Sequence, residues 1–284
     1  MKNHRKLLPA LFVAVCAVLL LGLATSASAQ TLTTSNGRPI ADGVQQIEKQ
    51  YLVPITYEDT IYVSDQELDP KTHSTPVGIG TLSFNSKPAT KNAPIEDREA
   101  LASEALNDLL QKYKDAKGAD MFTVTTTDEI IHVKATHFFD KSGHLEELTP
   151  FFDVPVSLSG RTRTGKELLT EVFEAVTAQT GQKIDFGTVD GGLMAHQTNI
   201  SADNEPARQV LDRLLIEVAG SPDEYSRLPP VRHEVHGFLA WRLLCDPLQQ
   251  FGCFFNAHRI SPPTLASMQT KPNYLAPPPG WQNR

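Results

Sequence analysis

The stretch "TGKELLTEVFEAVTAQTGQKIDFG" (164–187) reads as a capped amphipathic helix, a glycine stop and an alternating strand. Thr164 with Glu167 forms a capping box, in which each side chain satisfies an orphan helix amide. Leu168, Leu169, Val172, Phe173 and Val176 recur at helical spacing and form one apolar face. Gly181 supplies the left-handed position that ends the helix. A helix with a single apolar stripe must lay it on a sheet, so the stretch predicts an α+β fold.

The same grammar occurs upstream in "PIADGVQQIEKQYLVPITYED" (39–59), with Val44, Ile47, Ile55 and Tyr57 where the first has Phe173, Val176, Ile184 and Phe186. "IEKQYLVPITY" overlays "VTAQTGQKIDF" without a gap, and "ALNDLL" (105–110) overlays "VLDRLL" (210–215). Each half runs helix, strand, long loop, strand, helix and two-stranded hairpin. The expected architecture is two related two-layer modules, 39–139 and 150–260, each with two helices on a short mixed sheet ending in a β-hairpin. Within the second, Asp203 or Asn204 is expected to cap the helix that contains Pro206, and "GTVDGG" (187–192) to be a loop.

The ends differ in composition. "MKNHRK", an apolar run to Ala24 and the small-residue "ASA" before Gln30 form a secretory leader, residues 1–29, with cleavage between Ala29 and Gln30. Residues 30–38 are polar and small and read as a disordered lead-in, and 261–284 as a proline-rich tail. Losing Lys2, Arg5 and Lys6 with the leader takes the net charge from −7 to about −10, which argues against a nucleic-acid partner. The processed chain holds no apolar run long enough to cross a bilayer, so it is expected in the periplasm or outside the cell.

Two cysteines remain, Cys245 and Cys253, flanking "DPLQQFG". Placed across a hairpin in an oxidising compartment, they predict a disulfide. "RHEVHGF" sets His233 and His236 around Glu234, but the zincin pattern needs the second histidine one residue later and a helix beneath it. Neither a nucleophile elbow nor a phosphate-binding glycine loop is present. The expectation is therefore no catalytic, metal or cofactor site, with a metal-assisted hydrolase at His233, Glu234 and His236 as the alternative.

"FFDVPVSLSG", "ELLTEVFEAVTAQTGQKIDFG", "TNISADNEPARQVLDRLL", "WRLLCDP" and "CFFNAHRI" together resemble the short N-terminal domain of secretins and TonB-dependent receptors. The resemblance covers about 150–260 well and about 39–136 loosely. It implies an envelope module that works by contact with a protein or peptide partner. A transport role does not carry over, since no barrel-forming strands follow the hairpin. Such binding through an edge strand predicts exposed rings at one edge, with Tyr57, Tyr62 and Phe84 as candidates.

Overall fold

A computed structural model describes residues 30–34, 37–68, 81–88, 93–127, 130–220, 238–247 and 252–260. The leader, the His233–His236 stretch and the proline-rich tail lie outside the described residues.

In the first half, Pro39 opens helix α1 (Pro39–Tyr51), where its missing amide costs nothing. Strand β2 (Ile55–Glu58) follows, then β3 (Leu82–Ser86) and helix α2 (Ile95–Lys117), which Gly118 ends at φ 72°. A hairpin of β4 (Phe122–Thr127) and β5 (Ile130–Ala135) completes the half. In the second, α3 (Gly165–Thr180) carries the full Thr164–Glu167 capping box and ends on Gly181 at φ 71°. Two-residue strands β9 (Arg163–Thr164) and β11 (Gln197–Thr198) pair beside its start. Strand β10 (Ile184–Val189), helix α5 (Ala207–Gly220) and the β13–β14 hairpin (Leu239–Cys245, Cys253–Arg259) follow. Between the halves, β6 (His137–Phe139) and β7 (Leu145–Glu147) form a small hairpin over the turn at Gly143.

Several segments depart from the sequence expectation. Gln30–Thr34, expected to be disordered, is strand β1, paired antiparallel with β3 and burying Thr34. Short polar residues conceal a strand when most of its side chains face solvent. Ala202–Pro206 is strand β12, paired with β8 (Pro155–Leu158), so neither Asp203 nor Asn204 caps α5. The Ala207 amide goes to the Val154 carbonyl, which ties the start of α5 to the chain before β8. The glycine-rich 187–192 segment instead ends β10 and starts a short helix, α4 (Gly191–Ala195), whose first turn Asp190 caps through the Leu193 amide.

The fold is α+β, but its central sheet is not divided between the halves. Six strands run in the order β10-β14-β13-β2-β5-β4. The halves meet where β13 lies parallel to β2, with Arg242 opposite Tyr57 and Leu243 opposite Glu58. Each half keeps its own core. One contains Val44, Ile47, Ile55, Tyr57, Leu106 and Val133; the other Val172, Phe173, Leu211, Leu214, Trp241 and Phe255. Strand periodicity puts these cores on opposite faces. Ile55 and Tyr57 face the first half's helices, whereas Thr56 and Glu58 face the second half's α5 side. Ion pairs then lock the seam from both faces.

Candidate functional site

At one end of the sheet lies β4, whose sequence "FTVTTT" holds neither charge, proline nor glycine. The Met121 carbonyl accepts from the Thr136 amide, and the Ile131 amide faces Pro54 on the far side of β5. Antiparallel alternation then turns Thr123, Thr125 and Thr127 toward β5. It leaves the backbone donors and acceptors of Phe122, Val124 and Thr126 pointing off the sheet, and no described strand pairs with them. Phe122 and Val124 place their side chains against the first half's core, while Thr125, Thr126 and Thr127 are exposed. This is a regular strand edge without the charges, bulges or prolines that ordinarily blunt one.

The opposite edge, β10, is built differently. Its register with β14 shifts between Phe186 and Val189. There the Thr188 amide donates to Asn256 Oδ1 at 2.8 Å. Beside the turn into the strand, Lys183 and Asp185 form an exposed ion pair at 2.5 Å.

Behind β4, the seam is dense in buried charge. Asp59, at the end of β2, accepts from the Tyr57 and Tyr62 hydroxyls at 2.8 and 2.9 Å, from Arg38 Nε at 3.0 Å and from the Cys245 amide at 3.3 Å. Arg38 also donates to the Cys245 carbonyl at 2.5 Å, so one carboxylate and one guanidinium grip both backbone groups of a residue in the other half. Burial and the Asp59 charge together push the Tyr57 and Tyr62 hydroxyls well above the ordinary tyrosine range, so both act as donors at any physiological pH.

Two further clusters flank it. Toward α5, Arg208 pairs with Glu58 at 2.5 Å and Asp153 at 2.7 Å while its guanidinium stands over the Trp241 ring at 5.5 Å. Burial lifts the Glu58 carboxyl above its ordinary value, against the opposing pull of Arg208 and the Phe151 amide. Asp212, one turn along α5, reaches His132 Nε2 at 3.3 Å. On the other face, Glu48 of α1 accepts from Arg242 at 3.0 Å and lies 2.6 Å from His258 Nε2.

Thr127, His132 and Asp212 invite comparison with a nucleophile–base–acid relay, but their connections are wrong for one. Thr127 Oγ1 and Asp212 both lie at Nε2, and Nδ1 meets Thr56 Oγ1 at 2.7 Å. A relay needs the acid behind the imidazole, at the nitrogen away from the nucleophile. The cluster is a tie between β4, β5 and α5.

Cys245 and Cys253, opposite one another in the β13–β14 register, form a disulfide. Tyr57, Tyr62 and Phe84, expected as exposed rings, are instead buried, at 1%, 8% and 1% exposure. The alternation that marks a strand does not tell which face is covered: Tyr57 and Phe84 pack in the first half's core, and Tyr62, in the loop after β2, turns back onto Asp59. A narrow cleft between the start of α1 and the end of α2 borders Phe122, but its polar groups are already engaged, Arg38, Tyr57 and Tyr62 by Asp59 and Lys117 by Glu67 at 3.4 Å. Among the described residues, no three His, Cys, Asp or Glu side chains gather where they would hold a metal ion. The β4 edge itself escaped sequence reasoning. The signal available was an uncharged run of β-branched residues in the hairpin strand at 122–127.

Compared with known proteins, the chain matches no family model, no curated protein and no solved structure.

Proposed function

We propose that this chain is an exported, non-catalytic envelope protein that binds an extended segment of a partner protein by strand addition along β4. One observation carries this reading. The outward backbone groups of Phe122, Val124 and Thr126 form an unblunted row at the end of the only six-stranded sheet among the described residues. Backbone hydrogen bonds along such a row supply affinity, and side chains that alternate across it supply selectivity. Phe122 and Val124 offer the apolar side, and Thr123 and Thr125 the polar one. A protein that spends buried charge on fixing its sheet, rather than on an open pocket, suits a rigid docking scaffold.

The reading also takes the halves as two copies of one module. In the first, β1 pairs β3 beside a sheet ordered β2-β5-β4; in the second, β8 pairs β12 beside β10-β14-β13. Each first strand is parallel to the second hairpin strand, and each hairpin is antiparallel. Their registers superpose: Ile55, Ile131 and Thr126 correspond to Ile184, Cys253 and Cys245, and Tyr57, Val133 and Val124 to Phe186, Phe255 and Leu243. This order also supports the resemblance to the secretin and TonB-receptor short N-terminal domain, whose work is partner contact.

Selection of a random displayed-peptide library on the folded protein tests the binding. Selected peptides are expected to bind wild type and to perturb the NMR amide signals of Phe122, Val124 and Thr126 first. Val124→Pro removes one outward donor and no ladder bond, and is expected to weaken binding at least tenfold, about 1.4 kcal/mol. Peptides that bind this variant as tightly as wild type would place the site elsewhere.

A further inference from the structure

The seam shows what docks on the first strand of such a module. There β13, the counterpart of β4, lies parallel on β2, and the Asp59 amide donates to the Leu243 carbonyl at 3.0 Å. β10 is the counterpart of β2, and its outer edge has no strand partner among the described residues. Carrying the seam register across places β4 of a second copy on that edge, with Val124 opposite Gly187. Such a head-to-tail contact does not close on two copies, so nothing in its symmetry would stop growth.

The β10 edge is closed at this point. Gly187 is opposite the Asn256 side chain so tightly that a Cβ there would lie 2.3 Å from Oδ1. One residue on, where β2 gives its Asp59 amide to Leu243, β10 gives its Thr188 amide to Asn256 Oδ1. Asn256 Nδ2 is itself tied to the Phe254 carbonyl at 3.1 Å, which holds the side chain over the strand. The donor that makes the internal seam is thus consumed within the second half, and the register shift bends the edge away from a regular ladder.

We propose that Asn256, with Gly187 beneath it, is a stop that closes β10 against β4 of a second copy and so prevents head-to-tail growth of the sheet. The chain keeps β4 open toward other partners and denies that strand its own complement. This rests on the two-module correspondence, and it fails separately from peptide binding, because β10 takes no part in that.

Sedimentation velocity over a wide concentration range tests it. Wild type is expected to keep the mass of one chain throughout. Asn256→Ala frees the Thr188 amide, and its average mass is expected to rise roughly twofold or more with concentration. Adding Val124→Pro to that variant is expected to restore the single-chain mass, which a merely misfolded protein would not show. Gly187→Ala, whose Cβ displaces the Asn256 side chain, provides a second route should Asn256→Ala fail to fold. A folded Asn256→Ala or Gly187→Ala protein that stays at one mass overturns the proposal, as does a wild-type chain that already associates.

Discussion

Glu48 shows how one side chain can join two halves of a chain. It sits in α1, on the face that covers the seam, and its partners Arg242 and His258 belong to the other half. Burial works to raise its carboxyl, but His258 and Arg242 outweigh burial and hold it below the ordinary glutamate value. The sign of the linkage follows. The folded state releases this proton more readily than the unfolded chain does, so Glu48 stabilises the fold above the unfolded glutamate value of about 4.3. That contribution is lost as pH falls through the depressed folded value. Glu48→Gln is therefore expected to cost on the order of 2 kcal/mol at pH 7. In urea melts of both proteins, the gap should shrink toward zero as the pH is brought below about 4. A gap that holds steady or widens in acid would mean that the carboxylate is not the group holding Arg242.

At the scale of elements, the β13–β14 hairpin is the piece that carries the second half to the first. Cys245 ends β13, is bonded to Cys253 across the hairpin, donates its amide to Asp59 and accepts at its carbonyl from Arg38. The disulfide closes a loop with a sequence separation of 8. The loop-entropy account gives about 2.5 kcal/mol for a closure of that size. Replacing both cysteines by serine is expected to lower stability by that amount in urea melts under non-reducing conditions. It should also speed hydrogen exchange at the residue 245 amide more than at the Asp185 amide, since only the former spans the seam. No change in stability would mean that the Arg38–Asp59 grip already fixes the hairpin end. The hairpin and its bridge were legible in the sequence because both are local: two apolar runs, a short spacer and cysteines at matching ends. The α3 capping box and the Gly118 and Gly181 stops were legible for the same reason. β1 was not, since "QTLTT" carries its strand character only once β3 lies beside it.

Across the whole molecule, what the sequence hid is how the halves meet. The β13–β2 pair joins residues far apart in the chain through a register of two residues, which no periodicity announces. Glu58, Arg208 and Asp212 look like solvent-facing charges on a strand end and a helix, yet all three are buried. Arg242 gave a faint signal, a lone cation inside the apolar run "FLAWRLLC". The β4 edge was hidden likewise, because an edge is defined by what fails to pair, and that needs every other strand in place.

The seam has a consequence for folding. Thr56, Glu58 and His132 of the first half are at most 1% exposed, and Ile130 packs in the second half's core. Cut between the halves, residues 30–147 would bare this face and leave Glu58 without Arg208, while 148–260 would leave Asp212 without His132, Arg242 without Glu48 and Arg208 with Asp153 alone. Each piece would expose apolar surface that the other now covers, Ile130 among it, and lose the ion pairs across the seam, and units of this size are marginal to begin with. Neither piece is therefore expected to fold alone, and the two expressed together are expected to associate into one particle with native amide dispersion. Cooperative melting of either piece by itself would show that the modules are independent and that the seam only docks them.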